Sequence, residues 1–247
     1  WAAFSGIVAA ALAEHGASGP ATVLEGRFGV LAAHADELDA EALTADLGTR
    51  WETLEIAFKP YPSCHCGHAV LDAVTVCEVE AGEVEEVVAL APGEVAIGLV
   101  LEPAAEKLRP RTPYDAKFSL PYCIAALLLR GELGLDAFTD EAIADPRALE
   151  LAARVGYEEV DFPGGSELSG GVRIRTAAGT REERVTQPRG APGNPLDPAA
   201  VEAKFRRNAA PALGDEGAER LREVVGALER CDAAELASAL APRGTGR

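Results

Sequence analysis

The chain has 247 residues, 48% of them apolar, which is enough to bury a sizeable core in one large or two modest domains. Its formal net charge of −17 repels nucleic acid and anionic membranes, so an anionic substrate would need a local cluster of positive charge. No apolar run approaches the roughly 20 residues of a membrane span, and the apolar start lacks the basic segment of a signal peptide.

The cysteines indicate a reducing compartment. Five is an odd number, and the spacing is not that of a disulfide framework, so we expect a cytoplasmic protein. Cys64, Cys66 and His68 form a cluster that invites interpretation as a metal site. The cluster lacks the paired CxxC spacing of structural zinc sites and has no second half, so we predict no metal there.

The start of the chain is unusual. The sequence contains no methionine and begins at Trp1, within a stretch that is typical of a helix. We expect a fragment, a processed chain or one piece of a split protein.

The first 57 residues are predicted to be mainly helical. Residues 1–15 are small and apolar and predict a buried helix that ends at Gly16. A short helix is predicted from Pro20 to about Leu24, and a polar-faced helix over residues 37–47.

The pattern changes over residues 50–58, where apolar and polar side chains alternate as in a half-buried strand that leads into Lys59. Two prolines keep the next residues extended, and Ser63 is a favourable N-cap for a helix over residues 64–77. On that helix Cys64 and His68 would share a face near the N-terminus, where the helix dipole favours an anion.

A second helix N-terminus of this kind is predicted further along. Ser119 can cap a helix that runs to Arg130 and stops at Gly131, which places Tyr122 in its first turn and Lys117 just before it. The remaining predictions are strands at 83–90, 94–101, 157–162 and 171–187, a helix at 146–155, a linker at 189–195, and helices at 197–210, 215–229 and 232–240.

Four stretches of the sequence resemble the MmgE/PrpD family, which includes 2-methylcitrate dehydratase and cis-aconitate decarboxylase. Their order and spacing fit the family across nearly the whole chain. The four are Ser5-Gly6-Ile7-Val8-Ala9-Ala10-Ala11-Leu12-Ala13 with the later Gly19-Pro20 and Leu24-Glu25-Gly26, Lys59-Pro60-Tyr61-Pro62-Ser63-Cys64 ending in His68, Ala116-Lys117-Phe118-Ser119-Leu120-Pro121-Tyr122, and Gly193-Asn194-Pro195-Leu196.

The resemblance implies an α+β fold in which a discontinuous helical domain carries an inserted, smaller α+β lid. Residues 1–57 and 191–247 would belong to the helical domain, and residues 58–190 to the lid. Family members are longer, and the part that would precede Trp1 carries further active-site residues. We therefore expect a homodimer, or a partner chain that supplies the missing half.

The resemblance also implies the chemistry. Family members act on small polycarboxylates without a metal or organic cofactor. They abstract a proton next to a carboxylate and then lose water or carbon dioxide. Such a reaction develops enolate charge, so cationic and hydrogen-bonding groups must face the carboxylate, flanked by an acid and a base with tuned pKa values.

Carried onto this sequence, the family motifs predict three catalytic residues. Lys59 would clamp a substrate carboxylate, His68 would transfer a proton, and Tyr122 would donate a hydrogen bond or protonate a leaving group. Cys64 and Lys117 would line the substrate. The alternatives are a solvated lysine, a hydrogen-bonded helix histidine and an interface tyrosine. The remaining histidines and cysteines are interpreted as structural, namely His15, His34, His65, Cys66, Cys77, Cys123 and Cys231.

Two other functions stay open. A racemase or epimerase on the same scaffold would share the proton abstraction and differ only in the fate of the carbanion. A non-catalytic partner subunit would have its catalytic residues in another chain.

Overall fold

A computed structural model describes residues 1–37, 39 and 41–241, and the chain divides into two compact units, Trp1–Glu52 and Thr53–Arg247. The second unit combines helices with a four-stranded sheet, which confirms the predicted α+β class at this coarse level. Within the described residues, no helix has both the length and the apolarity needed to cross a bilayer.

The first unit contains two helices, α1 (Ala2–Glu14) and α2 (Val30–His34). The prediction of a helix over residues 1–15 is confirmed, but the prediction that it is buried is wrong. Every residue of α1 is exposed, because none of the described residues of its own unit covers the apolar side chains that surround the helix. Residues 21–25 and the described residues of 37–47 form turns rather than the predicted helices, and residues 38 and 40 lie outside the described part.

The second unit begins with a short 3₁₀ turn at Glu52–Glu55 and contains the remaining helices and all four strands. The helices are α3 (His68–Cys77), α4 (Glu94–Val100), α5 (Ala104–Lys107), α6 (Pro113–Ala116), α7 (Leu120–Arg130), α8 (Asp140–Ile143), α9 (Pro146–Ala152), α10 (Pro198–Gly226) and α11 (Ala233–Leu240); the strands are β1 (Val84–Ala91), β2 (Val155–Glu159), β3 (Gly170–Thr176) and β4 (Gly179–Val185).

The sheet has the strand order β2-β1-β3-β4. β1 pairs with β2 in parallel, whereas β3 pairs antiparallel with both β1 and β4. α3 packs on one face of the sheet, mainly against β3 and β4, and contacts α7; the core consists of the apolar side chains of α3, α7, β1 and β3. The other face carries cross-strand ion pairs, such as those of Arg173 with Glu158 and Glu182, as expected where one face of a sheet meets solvent.

Two predicted strands are wrong. Residues 50–58 contain the 3₁₀ turn instead, and Leu54, Ile56 and Phe58 are all exposed, so their alternation does not mark a buried face. Residues 94–101 form α4, in which Ala96 and Val100 are buried one helical turn apart. A short and nearly continuous apolar run such as residues 94–101 is compatible with a buried strand or a buried helix, and packing selects the helix.

Other predictions are confirmed. α7 is capped by Ser119, whose side chain accepts a hydrogen bond from the backbone N–H of Tyr122, and it stops at Gly131 in the left-handed conformation (φ 76°). The β3–β4 hairpin and the strand at Val84–Ala91 lie where the sequence placed them. The C-terminal helices are also present, with a kink inside α10 at Gly214 (φ 71°, ψ 165°) between the first two predicted helices.

Gly190 ties the predicted linker to the segment before Lys59. Its carbonyl accepts a hydrogen bond of 2.8 Å from Phe58 N–H, its own N–H donates to Asn194, and its φ is +88°. A Cβ at this position would lie 1.8 Å from the carbonyl oxygen of Phe58. The linker is therefore a tight, packed turn in which only glycine fits without strain.

We expect Gly190→Ala to destabilise the second unit by about 2–4 kcal/mol, because a left-handed φ and a backbone clash act together. Urea denaturation monitored by circular dichroism measures this change. Gly179→Ala is a useful control for the positive φ alone, since its φ is +136° and a Cβ there would meet open space. An equal loss in the two variants would contradict the contact with Phe58.

Candidate active site

The segment that follows Phe58 is held by a buried polar network. Asp72, on α3, is almost fully buried, and its carboxylate accepts hydrogen bonds from the Tyr61 hydroxyl (2.9 Å) and from the Arg189 backbone N–H (2.7 Å) and Nε (2.9 Å). Arg189 also donates to the Tyr61 hydroxyl at 2.8 Å. Burial and the Asp72 carboxylate raise the pKa of Tyr61, so the phenol stays protonated. The network fixes the Pro-Tyr-Pro segment on α3.

Lys59 begins this segment and is exposed. Its ammonium donates to the carbonyl of Ser63 at 3.4 Å, and its own carbonyl accepts a hydrogen bond of 2.6 Å from Lys204 Nζ on α10. In the part of the chain that the structure describes, neither ammonium lies within ion-pair distance of a carboxylate. The other two lysines, Lys107 and Lys117, also lack an ion pair among the described residues, so the feature that distinguishes Lys59 and Lys204 is that they lie next to each other.

The two lysines lie on a cleft between the 59–62 segment, residues 131–136 and α10. It consists of two adjoining cavities, of roughly 270 and 400 Å³, that share Tyr61, Leu133 and Lys204 in their walls. Both lysines line the larger cavity. We call this feature the lysine cleft.

The other charges around the lysine cleft are mostly neutralised. Arg207 pairs with Glu132 at 2.7 Å, and Asp136 pairs with Arg130 at 2.6 Å. Arg189 pairs with Asp72. The cleft therefore presents two uncompensated positive charges, which attract an anion.

His68 lies beneath the 59–63 segment, and its ring is fully buried. It contacts the Tyr61 ring edge-on at 5.2 Å and the His65 ring at 4.9 Å between centroids. Nε2 is 3.3 Å from the carbonyl oxygen of Ser63 and 3.4 Å from its hydroxyl, whereas Nδ1 has no partner among the described residues. A carbonyl only accepts, so the neutral ring carries its proton on Nε2 and leaves Nδ1 as a free proton acceptor.

The electrostatic environment keeps His68 neutral. Burial lowers its pKa to about 3, and the nearby His65, Lys59 and Lys204 lower it in the same direction. Burial also lowers the pKa of His65. His68 does not line the lysine cleft, although it is close enough for the charges of both lysines to lower its pKa.

The predicted helix over residues 64–77 starts later than expected. A 3₁₀ turn spans His65–Gly67, α3 begins at His68, and Cys64 precedes both with an extended backbone. The prediction that Cys64 and His68 share a helix face is therefore wrong, and so is the prediction that Ser63 caps the helix. Gly67 ends this 3₁₀ turn close to α7, since a Cβ there would lie 3.0 Å from a side-chain carbon of Leu120.

Cys64 and Lys117 are joined through the backbone. Cys64 N–H donates to the Lys117 carbonyl at 2.8 Å, while the Lys117 ammonium lies 5.8 Å from the centre of the Phe138 ring. Burial, followed by the neighbouring Cys64, raises the pKa of Cys66 to about 11. Cys64 and Lys117 are both half-buried, and they border the 59–63 segment without lining the lysine cleft.

Tyr122 lies in the first turn of α7, as predicted, but it is buried in the core. Its hydroxyl donates to the carbonyl of Ala137 at 2.5 Å, and its ring contacts Phe138. Burial raises the pKa of this phenol to about 12. The structure thus brings Lys59 and His68 into one neighbourhood and places Tyr122 outside the lysine cleft.

Three residues of the site were not predicted from the sequence. Asp72, Arg189 and Lys204 lie on α3, in the tight turn and on α10, and none belongs to a recognisable motif. Asp72 carried a weak signal, because it is the one charged residue in the otherwise apolar helix over residues 68–77.

Comparison with known proteins identifies the scaffold. A family model described as the MmgE/PrpD C-terminal domain matches residues 61–230, well over half of the chain. The chain belongs to the MmgE/PrpD family. The match covers α3, the sheet and the whole of α10, and it begins two residues after Lys59. A search of curated proteins gave no significant match.

Membership of the MmgE/PrpD family places the chain among lyase-type proteins, and the roles of its individual residues stay predictions. In the described ranges, no group of three or more His, Cys, Asp or Glu side chains is arranged to hold a metal ion, and this includes Cys64, Cys66 and His68. All five cysteines of this MmgE/PrpD chain are free thiols.

The buried His68 makes the stability of this MmgE/PrpD domain depend on pH. Below about pH 6.5 the unfolded chain protonates this histidine, whereas the folded chain does not until about pH 3. Stability therefore falls as the pH drops through this window, by up to about 1.4 kcal/mol per pH unit. We expect the wild type to lose about 1–2 kcal/mol more than His68→Gln between pH 7 and pH 5. Urea denaturation of both proteins at both pH values measures the difference, and parallel losses would contradict a neutral, buried imidazole.

Proposed function

We propose that this chain contributes to the active site of a cofactor-independent lyase, a dehydratase or decarboxylase that acts on a small di- or tricarboxylate such as 2-methylcitrate or cis-aconitate. The observation that carries the proposal is the lysine cleft. Lys59 belongs to the family motif and holds an uncompensated charge in a strongly acidic chain. An ammonium in this position suits a substrate carboxylate next to the carbon that loses a proton.

In the proposed reaction Lys59 binds that carboxylate and stabilises the enolate charge that develops when the neighbouring C–H bond breaks. Nδ1 of His68 is the candidate proton acceptor, because it has a lone pair and no hydrogen-bond partner in the described chain. With a pKa of about 3 it is a weak base in the empty site. A bound anionic substrate raises the pKa of a nearby histidine, so binding itself would activate His68.

Direct proton transfer to His68 requires the 59–63 segment to shift, because Tyr61 lies against the His68 ring. Tyr122 is the proposed proton donor to the leaving group, and this role requires its hydroxyl to leave the Ala137 carbonyl. Cys64 and Lys117 would then line the substrate, since both lie against the same segment. These movements belong to the proposal together with the predicted roles.

A partner surface is also part of the proposal. α1 is apolar on all sides and exposed along its whole length, with Phe4, Ile7 and Leu12 each more than half exposed. A helix of this kind is normally buried. We propose that a second copy or a partner chain covers it, which would complete a helical domain on which residues 58–190 form a lid. The free thiols suit a reducing cytoplasm.

The test is turnover of 2-methylcitrate, citrate and cis-aconitate by the native assembly, purified from the cells that produce it. Loss of water or carbon dioxide supports the lyase. Incorporation of solvent deuterium into recovered substrate without elimination indicates the racemase or epimerase instead. Absence of both from every substrate, in an assembly that still contains this chain, would indicate a non-catalytic partner subunit.

A further inference from the structure

Lys204 reaches the site from a distant part of the sequence. It lies on α10, is half-buried, and its Nζ donates a 2.6 Å hydrogen bond to the backbone carbonyl of Lys59, 145 residues earlier. An ammonium carries three donor hydrogens. In the described part of the chain, this carbonyl is the one acceptor found for them. Two donors of Lys204 are therefore left for the cleft.

The charge of Lys204 is not neutralised by its acceptor, because a backbone carbonyl is uncharged. The neighbouring arginines differ in this respect, since Arg207 has Glu132 and Arg189 has Asp72. Lys204 lies in the walls of both cavities of the lysine cleft, whereas Lys59 lines only the larger one. Both lysines therefore line the larger cavity, and Lys204 extends into the smaller one as well.

We propose that Lys204 is a substrate-binding residue that determines specificity: it binds a second carboxylate of the substrate while Lys59 binds the first. This inference rests on the proposed function and names the residue that makes the site select polycarboxylates over monocarboxylates. A monocarboxylate satisfies one ammonium and leaves the other without a partner. A di- or tricarboxylate satisfies both, and each charged hydrogen bond adds affinity.

The same hydrogen bond gives Lys204 a positioning role. It anchors the carbonyl of Lys59, while the network with Asp72 and Arg189 anchors Tyr61 two residues later. The backbone that carries the Lys59 ammonium is therefore fixed at two nearby points. A substrate carboxylate bound to Lys204 would therefore link recognition of the far end of the substrate to the position of Lys59.

Isothermal titration of the native assembly with three inert probes tests the proposal. The probes are propane-1,2,3-tricarboxylate, glutarate and butyrate, at fixed ionic strength. For Lys204→Met we expect the Kd of the tricarboxylate to rise about 10–50-fold and the Kd of butyrate to change less than about threefold. Lys204→Arg keeps the charge and the donors and should recover most of the affinity. Thermal denaturation of each variant confirms that it is folded.

Lys107→Met is a matched control. Lys107 also donates to a backbone carbonyl, that of Leu99 at 2.7 Å, but it lies outside the lysine cleft. It should leave all three affinities unchanged. A uniform weakening of all probes in Lys204→Met would indicate loss of general charge attraction and overturn the proposal, and so would unchanged affinity for the tricarboxylate.

The outcomes also separate this proposal from the lyase. Selective loss of tricarboxylate binding in Lys204→Met, in an assembly that turns over no substrate, supports the role of Lys204 and rejects the lyase. Turnover by the wild type with no effect of Lys204→Met supports the lyase and rejects the role of Lys204. Failure of the folded wild type to bind any of the carboxylates overturns both.

Discussion

Replacement of Lys59 by alanine should lower kcat/KM for the polycarboxylate substrate by a factor of about 100–1,000, because removal of one group that stabilises a developing oxyanion costs that much in well-studied enzymes. The loss should appear mainly in kcat if Lys59 acts on the enolate, and mainly in KM if it only binds the ground state. Steady-state kinetics of the native assembly measures both.

The fold should tolerate this change. The Lys59 side chain is exposed and makes one long hydrogen bond of 3.4 Å, so Lys59→Ala should alter the free energy of unfolding by less than about 0.5 kcal/mol. Lys107→Ala removes a lysine elsewhere and should retain activity. Wild-type turnover in Lys59→Ala would exclude this residue from the reaction and leave the lysine cleft without its proposed purpose.

The largest loss of stability among side-chain replacements in this site is expected for Asp72→Ala. The change removes the acceptor of three hydrogen bonds and leaves the guanidinium of Arg189 and the hydroxyl of Tyr61 without their shared partner. Arg189 is about half exposed, so water compensates part of the loss, and we expect the free energy of unfolding to fall by about 2–4 kcal/mol. Urea denaturation at pH 7 measures it.

Asp136→Ala is the matched control for Asp72→Ala. It breaks an Arg–Asp pair with Arg130 that is shorter, at 2.6 Å against 2.9 Å, but the Asp136 side chain is 70% exposed, so its removal should cost less than about 1 kcal/mol. Asp72→Asn keeps one oxygen acceptor and should fall between the wild type and Asp72→Ala. A similar cost for Asp72→Ala and Asp136→Ala would mean that the buried network does not stabilise the 59–63 segment.

The elements with strong local signals were predicted well. α7 has a serine cap, a proline in its first turn and a glycine stop, and these features fix its bounds with little help from the rest of the chain. The β3–β4 hairpin is similarly local. The strand predictions for residues 94–101 and 50–58 were wrong because neither a short apolar run nor a short alternation of apolar residues distinguishes a strand from a helix until a packing partner is known.

The site was predictable only in part, because its geometry depends on contacts between distant residues. Lys59 stands in one of the stretches that resemble the family, and its role stays a prediction. Burial of Tyr122 could not be foreseen, since a tyrosine at a helix N-terminus has no local property that separates a core position from a cleft position. Lys204 could not be found either, because no sequence pattern shows that α10 returns to Lys59.

The backbone hydrogen bond between Phe58 and Gly190 has a meaning beyond stability. It brings together two residues that the whole sheet and the seven helices α3 to α9 separate along the chain, so the entry and exit of this long stretch lie side by side. A stretch whose ends meet can be inserted into a host, or exchanged between hosts, without changing the path of the host backbone. Residues 58–190 thus enter and leave at neighbouring backbone positions, and Lys59 is the first residue after that junction.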